Sequence, residues 1–120
     1  MATKVIPSTI SILGSDWEII YKDDDPYFEE AKGYTNPAAR EIVIENLKCT
    51  DDPTDFNLEE QSVDQKRVLR HEILHAFLFE SGLADSSNSA DAWAVNEEMV
   101  DWFARQSPKI YKVYKELKLV

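Results

Sequence analysis

Arg70-His71-Glu72-Ile73-Leu74-His75-Ala76-Phe77 is the stretch on which the reading of this chain turns. As a helix it places His71 and His75 one turn apart on a single face. Two imidazoles so spaced can reach one Zn²⁺ at roughly 2.0–2.1 Å per bond. Glu72 lies about 100° round the helix from His71. From there its carboxylate can take a proton from a water in an open metal position. Both histidines of the protein fall within this pentapeptide. Two packed histidines, each satisfied by a neighbour, are the plainer alternative, but a metal relieves two buried imidazoles at once.

The sequence around the stretch predicts a helix over about 62–81. Ser62-Val63-Asp64-Gln65 has the form of a capping box, and Gly82 suits the residue just past a helix end. Leu69, Ile73 and Phe77 form one stripe, with Leu74, Leu78 and Phe79 elsewhere, so the helix is apolar on most sides and belongs at the centre of the fold. After a polar loop from Ala84 to Ser89, Ser89 or Asp91 can cap a second helix over about 90–106. Ser107 can cap a short C-terminal helix over about 108–118, with Pro108 in its first turn.

Upstream lie strand signals. Thr9–Leu13 alternates, Gly14-Ser15-Asp16 is a turn, and Trp17–Tyr21 completes a predicted hairpin. Asp23-Asp24-Asp25-Pro26 breaks the pattern as a solvated loop, lacking the spaced oxygens and central glycine of a calcium loop. Tyr27–Lys32 predicts a turn of helix ended by Gly33. A third strand is expected over Glu41–Glu45, with Tyr34 in a short partner strand across the Asn36-Pro37 turn, and strands in all span about 8–46. The segment Lys48–Asn57 reads as an irregular connection. Strands first and helices after predict an α+β domain with a small, mostly antiparallel sheet of about three strands, the whole of 1–120 being one domain.

With 120 residues and 43% hydrophobic residues the chain is long enough for one core. A formal net charge of −10 argues against nucleic acid and anionic lipid as partners. The lone Cys49 permits no intrachain disulfide and fits a reducing, cytoplasmic setting. Neither a secretory leader nor a membrane-spanning run is expected.

Catalytic zinc usually takes three protein ligands, and no third histidine exists. Val95-Asn96-Glu97-Glu98-Met99-Val100-Asp101 offers the missing carboxylate. Glu97, 22 residues after His75, leaves room for a loop and an antiparallel return; Glu98 is the alternative, one residue and about 100° away. Asp101 shares the face of Glu97 and suits an acceptor for the second ring N–H of a ligand histidine. Trp93, Val100 and Ala104 are expected to line the site. Acidic residues early in a helix also favour its dipole, so their presence alone decides nothing.

His71-Glu72-x-x-His75 followed by Asn96-Glu97-x-x-x-Asp101 resembles the gluzincin metallopeptidases, and the size resembles their minimal forms, the minigluzincins and small zincin-like proteins of bacteria and phages. The resemblance covers roughly Glu41–Ser107. It implies a zincin-like minimal domain, Zn²⁺ as cofactor, His71, His75 and Glu97 as metal ligands, Asp101 as support for a ligand histidine, and Glu72 as the catalytic base. It also implies a peptide or protein substrate whose bond is hydrolysed by a metal-activated water. The chain departs from larger members in lacking a second domain and any downstream histidine as oxyanion partner. Tyr34, Arg67, Arg70, Tyr111 and Tyr114 are the remaining candidates for that role. The Glu41–Glu45 strand is the expected sheet edge for substrate. The competing expectation is a catalytically weak or inactive zinc-binding regulatory or interaction protein of a phage or mobile element.

Overall fold

A computed structural model describes residues 8–48, 58–84 and 93–120. The predicted Lys48–Asn57 connection beyond Lys48, Cys49, most of the Ala84–Ser89 loop, and the cap residues Ser89 and Asp91 lie outside the described residues. The chain is an α+β domain: four strands form one mixed sheet, and two long helices follow. Strands β1 (Ser8–Ile12) and β2 (Ser15–Lys22) make a hairpin with Ile12 opposite Ser15. Its two-residue turn, Leu13-Gly14, has positive φ at both positions (51° and 89°), the twist-matched geometry for a tight hairpin. A 3₁₀ turn at Pro26–Glu29 is capped by Asp25, and β3 (Gly33–Asn36) and β4 (Glu41–Glu45) complete the sheet.

The strand order is β1-β2-β4-β3. β4 runs parallel to β2 and antiparallel to β3. This corrects two expectations. The sheet has four strands, because Gly33 opens a strand and does not end a helix. And Glu41–Glu45 is internal, its Ile42, Val43 and Ile44 all buried, so the edge beside the helices is β3. The unbroken apolar run of β4 is what a strand covered on both faces requires.

Ile12, Trp17, Ile19, Ile42 and Ile44 present one face of the sheet to helix α1 (Leu58–Glu80), where Val68 and Ala76 complete the core. Gly33 is needed where α1 crosses β3: a Cβ there would stand 2.9 Å from Val68 Cγ1 and 3.0 Å from the Val43 carbonyl. Trp17, 1% exposed, buries its ring and donates Nε1–H to Glu80 Oε1 at 2.8 Å. Arg40, the last residue of the β3–β4 turn, donates from Nε to the same oxygen at 2.8 Å and so ties the sheet to the end of α1.

α1 starts earlier than the capping box suggests: Ser62 lies inside it. Leu58, Glu59 and Glu60 extend the helix, and Gln61 closes both its amide functions on the Lys48 backbone. Its end is as expected, with Gly82 at φ +83° and its N–H on the Phe79 carbonyl.

The second helix, α2 (Glu97–Glu116), differs most. Its N-cap is Asn96, whose side chain accepts from Met99 N at 2.7 Å, and a 3₁₀ turn (Trp93–Val95) precedes it. It does not stop before Ser107: one helix runs through Pro108, so there is no separate C-terminal helix. A proline inside a helix leaves the carbonyl four residues back without its donor. That carbonyl, of Ala104, instead accepts from Arg70 Nε on α1 at 2.6 Å. The breaker is thus satisfied from a neighbouring helix. Among the described residues no helix is long and apolar enough to cross a membrane.

Candidate metal centre

α1 and α2 pack against each other through small or buried residues, Val100 (1% exposed) and Ala104 (0%). This close approach brings the start of α2 against the middle of α1. His71 Nε2 lies 2.9 Å from Glu97 Oε1, His75 Nε2 lies 3.1 Å from the same oxygen, and the two ring nitrogens are 3.2 Å apart. Glu98 does not join this group.

Three donor atoms at the corners of so small a triangle cannot coexist as bare acceptors. Two imidazole lone pairs and a carboxylate oxygen need a cation between them, either a proton or a metal. A tetrahedral Zn²⁺ with ligands at its usual distances sets neighbouring donors about 3.3 Å apart. The triangle is contracted from that by a few tenths of an ångström at most corners, so the donor set and its spacing fit such an ion.

Asp101, one turn after Glu97, sits behind His71: its Oδ1 is 3.3 Å from His71 Nδ1. A proton held there leaves Nε2 as the lone-pair end facing the triangle. Asp101 is itself anchored by Arg67 Nη1 at 3.0 Å and Arg105 Nε at 2.7 Å. The Arg105 hydrogen bond, against some desolvation, and then His71 and Arg67, hold its carboxyl below the usual range. Desolvation pushes the Glu97 carboxyl up, but His75 and His71 more than reverse it, so Glu97 too lies low. Its side chain is nonetheless 72% exposed, which leaves the triangle open on its outer side.

Glu72 is buried (7% exposed) and lines the same cleft. Its Oε1 accepts from the Thr35 hydroxyl at 2.7 Å. Thr35 is on the edge strand β3, so the carboxylate beside the histidines is tied to the sheet. Reasoning from sequence does not find Thr35, because the pairing joins residues 37 apart and only the β3–α1 packing creates it. Arg67 as the partner of Asp101 is equally invisible there.

The cleft measures about 760 Å³ and runs from Tyr27 and Tyr34 past Thr35, Glu72 and the histidines to Phe79 and Val95. Val95 occupies the wall expected of Trp93, which is 57% exposed outside it. Of the oxyanion candidates, Tyr34 and Arg67 line the cleft. The Tyr34 hydroxyl donates to Asp25 Oδ2 at 3.0 Å, and burial together with this bond raises its pKa. Arg67 is held between Asp64 and Asp101. Arg70 is committed to Ala104, and Tyr111 and Tyr114 stand on the exposed far half of α2.

Comparison with protein-family models, curated proteins and solved structures yields no match to this chain.

Proposed function

We propose that this domain is a zincin-like, zinc-dependent peptidase of the gluzincin type, with His71, His75 and Glu97 as metal ligands and Glu72 as general base. The observation that carries the reading is the convergence of His71 Nε2, His75 Nε2 and Glu97 Oε1 within 3.2 Å of one another, with a buried carboxylate on the adjacent helix position. Bound zinc would supply Lewis-acid polarisation of a carbonyl and acidify a water. Glu72 takes the proton of the attacking water and later passes it to the leaving amine. Thr35 fixes the carboxylate for that transfer, and Asp101 orients His71 through its second ring nitrogen. A peptide substrate is expected along β3, whose outer edge carries no strand partner among the described residues. The Glu72→Gln variant tests the reading. It should retain zinc by elemental analysis and lose peptide cleavage; absence of cleavage by the wild type, or its survival in the variant, refutes the peptidase.

A second reading has its own support. Both candidate oxyanion donors in the cleft are already engaged, Tyr34 with Asp25 and Arg67 with Asp64 and Asp101. This favours a metal-holding regulatory or interaction module with weak or no turnover. Stoichiometric zinc without cleavage of any member of a diverse peptide library would select it.

A further inference from the structure

Beyond the cleft, α2 carries a second apolar face that the proposed chemistry does not use. Met99, Phe103, Gln106, Ile110, Val113 and Leu117 recur at alternating spacings of four and three residues. At about 100° per residue they fall within an arc of about 80°. The arc is centred well away from Val100 and Ala104, which face α1. Phe103 is 37% exposed, Val113 50% and Leu117 64%, and Trp102 (53%) and Tyr114 (46%) flank them. Among the described residues α2 packs chiefly on α1 and on the 3₁₀ turn before it. A seam of this size on a helix of 20 residues, about 30 Å long, exceeds the scattered apolar exposure of an ordinary surface.

The seam is its own complement. Turned over about Pro108, Met99 falls opposite Leu117, Phe103 opposite Val113, and Gln106 opposite Ile110. Pro108 itself lies outside the arc and does not interrupt it. Charge selects the direction. Residues 97–106 of α2 carry Glu97, Glu98, Asp101 and Arg105, a net −2, and residues 107–116 carry Lys109, Lys112, Lys115 and Glu116, a net +2. Antiparallel pairing sets acidic halves beside basic ones and opposes the helix dipoles; parallel pairing sets like on like. Gln106, the one polar member, marks the two central layers and penalises slipped registers, as a single polar core residue does in coiled coils.

We infer that α2 is a homodimerisation helix: two copies of this chain associate through an antiparallel α2–α2 seam with a two-fold axis near Pro108. A single helix pair lies at the low end of stable interfaces, so the dissociation constant is in the micromolar range.

Sedimentation velocity of the full chain over a concentration series tests this. Wild type should pass from monomer to dimer mass as concentration rises to about 100 µM. Val113→Glu, at a half-exposed position, should weaken association at least about 10-fold, with an unchanged circular dichroism spectrum and melting temperature at low concentration. In a Cys49→Ser background, Met99→Cys mixed with Leu117→Cys should give an oxidised heterodimer, and Leu117→Cys alone should not. A wild type that stays monomeric throughout overturns the inference. So does a dimer indifferent to Val113→Glu, or a Leu117→Cys homodimer, which marks a parallel pair. A monomer that co-floats with phosphatidylserine vesicles assigns the seam to lipid and overturns it equally.

Discussion

Arg70 should be worth more to this fold than its place beside the histidines suggests. Pro108 deprives the Ala104 carbonyl of its intrahelical donor, and Ala104 is fully buried. Arg70 Nε supplies the donor at 2.6 Å. Replacing Arg70 by Met keeps the aliphatic stem and removes only the guanidinium. The Ala104 oxygen is then left unsatisfied in a packed helix interface. A charge-assisted hydrogen bond of this kind contributes about 1.5–3 kcal/mol, and the orphaned acceptor costs a similar amount. For a domain of this length that is a fall in melting temperature of roughly 5–12 °C. Pro108→Ala provides the control. It restores an N–H at position 108, so Ala104 regains an intrahelical partner and Arg70→Met should cost under about 1 kcal/mol in that background. Urea denaturation of the four proteins gives the double-mutant cycle. A coupling energy near zero, with Arg70→Met equally costly with and without Pro108, would refute the account of how α2 runs through its proline.

The proposed metal site predicts that Zn²⁺ at about 100 times its dissociation constant stabilises the fold by about 2.7 kcal/mol, read by thermal denaturation against an EDTA control. His75→Ala should abolish the shift, and a shift that persists places the metal elsewhere. Thr35→Val should lower kcat by about 10-fold or more with zinc stoichiometry unchanged, because it frees the Glu72 carboxylate and touches no ligand; equal zinc and equal kcat would show that the Thr35 contact is only structural. The Arg40 hydrogen bond, followed by that of Trp17, lowers the Glu80 pKa from 4.5 to about 2. The folded form therefore binds this proton less readily than the unfolded one. Its stabilising contribution is complete above about pH 4.5 and is lost as pH falls towards 2. Glu80→Gln should flatten the stability profile in that window, and an unaltered acid limb in the variant would contradict it.

The α+β class and the bounds of β4 follow from local signals that the tertiary structure leaves in force: a strictly bounded apolar run, turn residues at Asn36-Pro37, and a left-handed glycine at position 82. The proximity of His71, His75 and Glu97 was legible for a related reason, since one helical turn and one antiparallel return suffice to create it. What stays hidden depends on partners far along the chain. Pro108 is a breaker by every local rule, and only a guanidinium 38 positions upstream makes it an interior residue. Gly33 looks like a helix stop, yet it is small because Val68 of α1 passes 2.9 Å from where its Cβ would be. The placing of β4 between β2 and β3 depends on a parallel pairing that no short-range pattern encodes. The start of α2 is different, because Asn96 before two glutamates is a readable cap that the more distant Ser89 and Asp91 obscure.

That cap bears on why Glu97 and not Glu98 meets the histidines. Asn96 fixes where the helix begins, so Glu97 is its first residue and its rotation about the axis is set. The height is set separately, by contacts down the α1–α2 seam: Glu97 on His71 and His75, Asp101 on His71 and Arg67, and Ala104 on Arg70. Each is about one turn from the next, so they act as successive teeth. A shift of one residue would turn every α2 side chain by about 100° and slide it about 1.5 Å. That would separate Asp101 from both Arg67 and His71, and draw the Ala104 carbonyl away from the guanidinium that satisfies it. The arginine that rescues the proline therefore also helps to hold the Glu97 carboxylate on the histidines, some two turns of helix away. Arg70→Met should for that reason weaken metal binding as well as stability, although Arg70 touches none of the three proposed ligands.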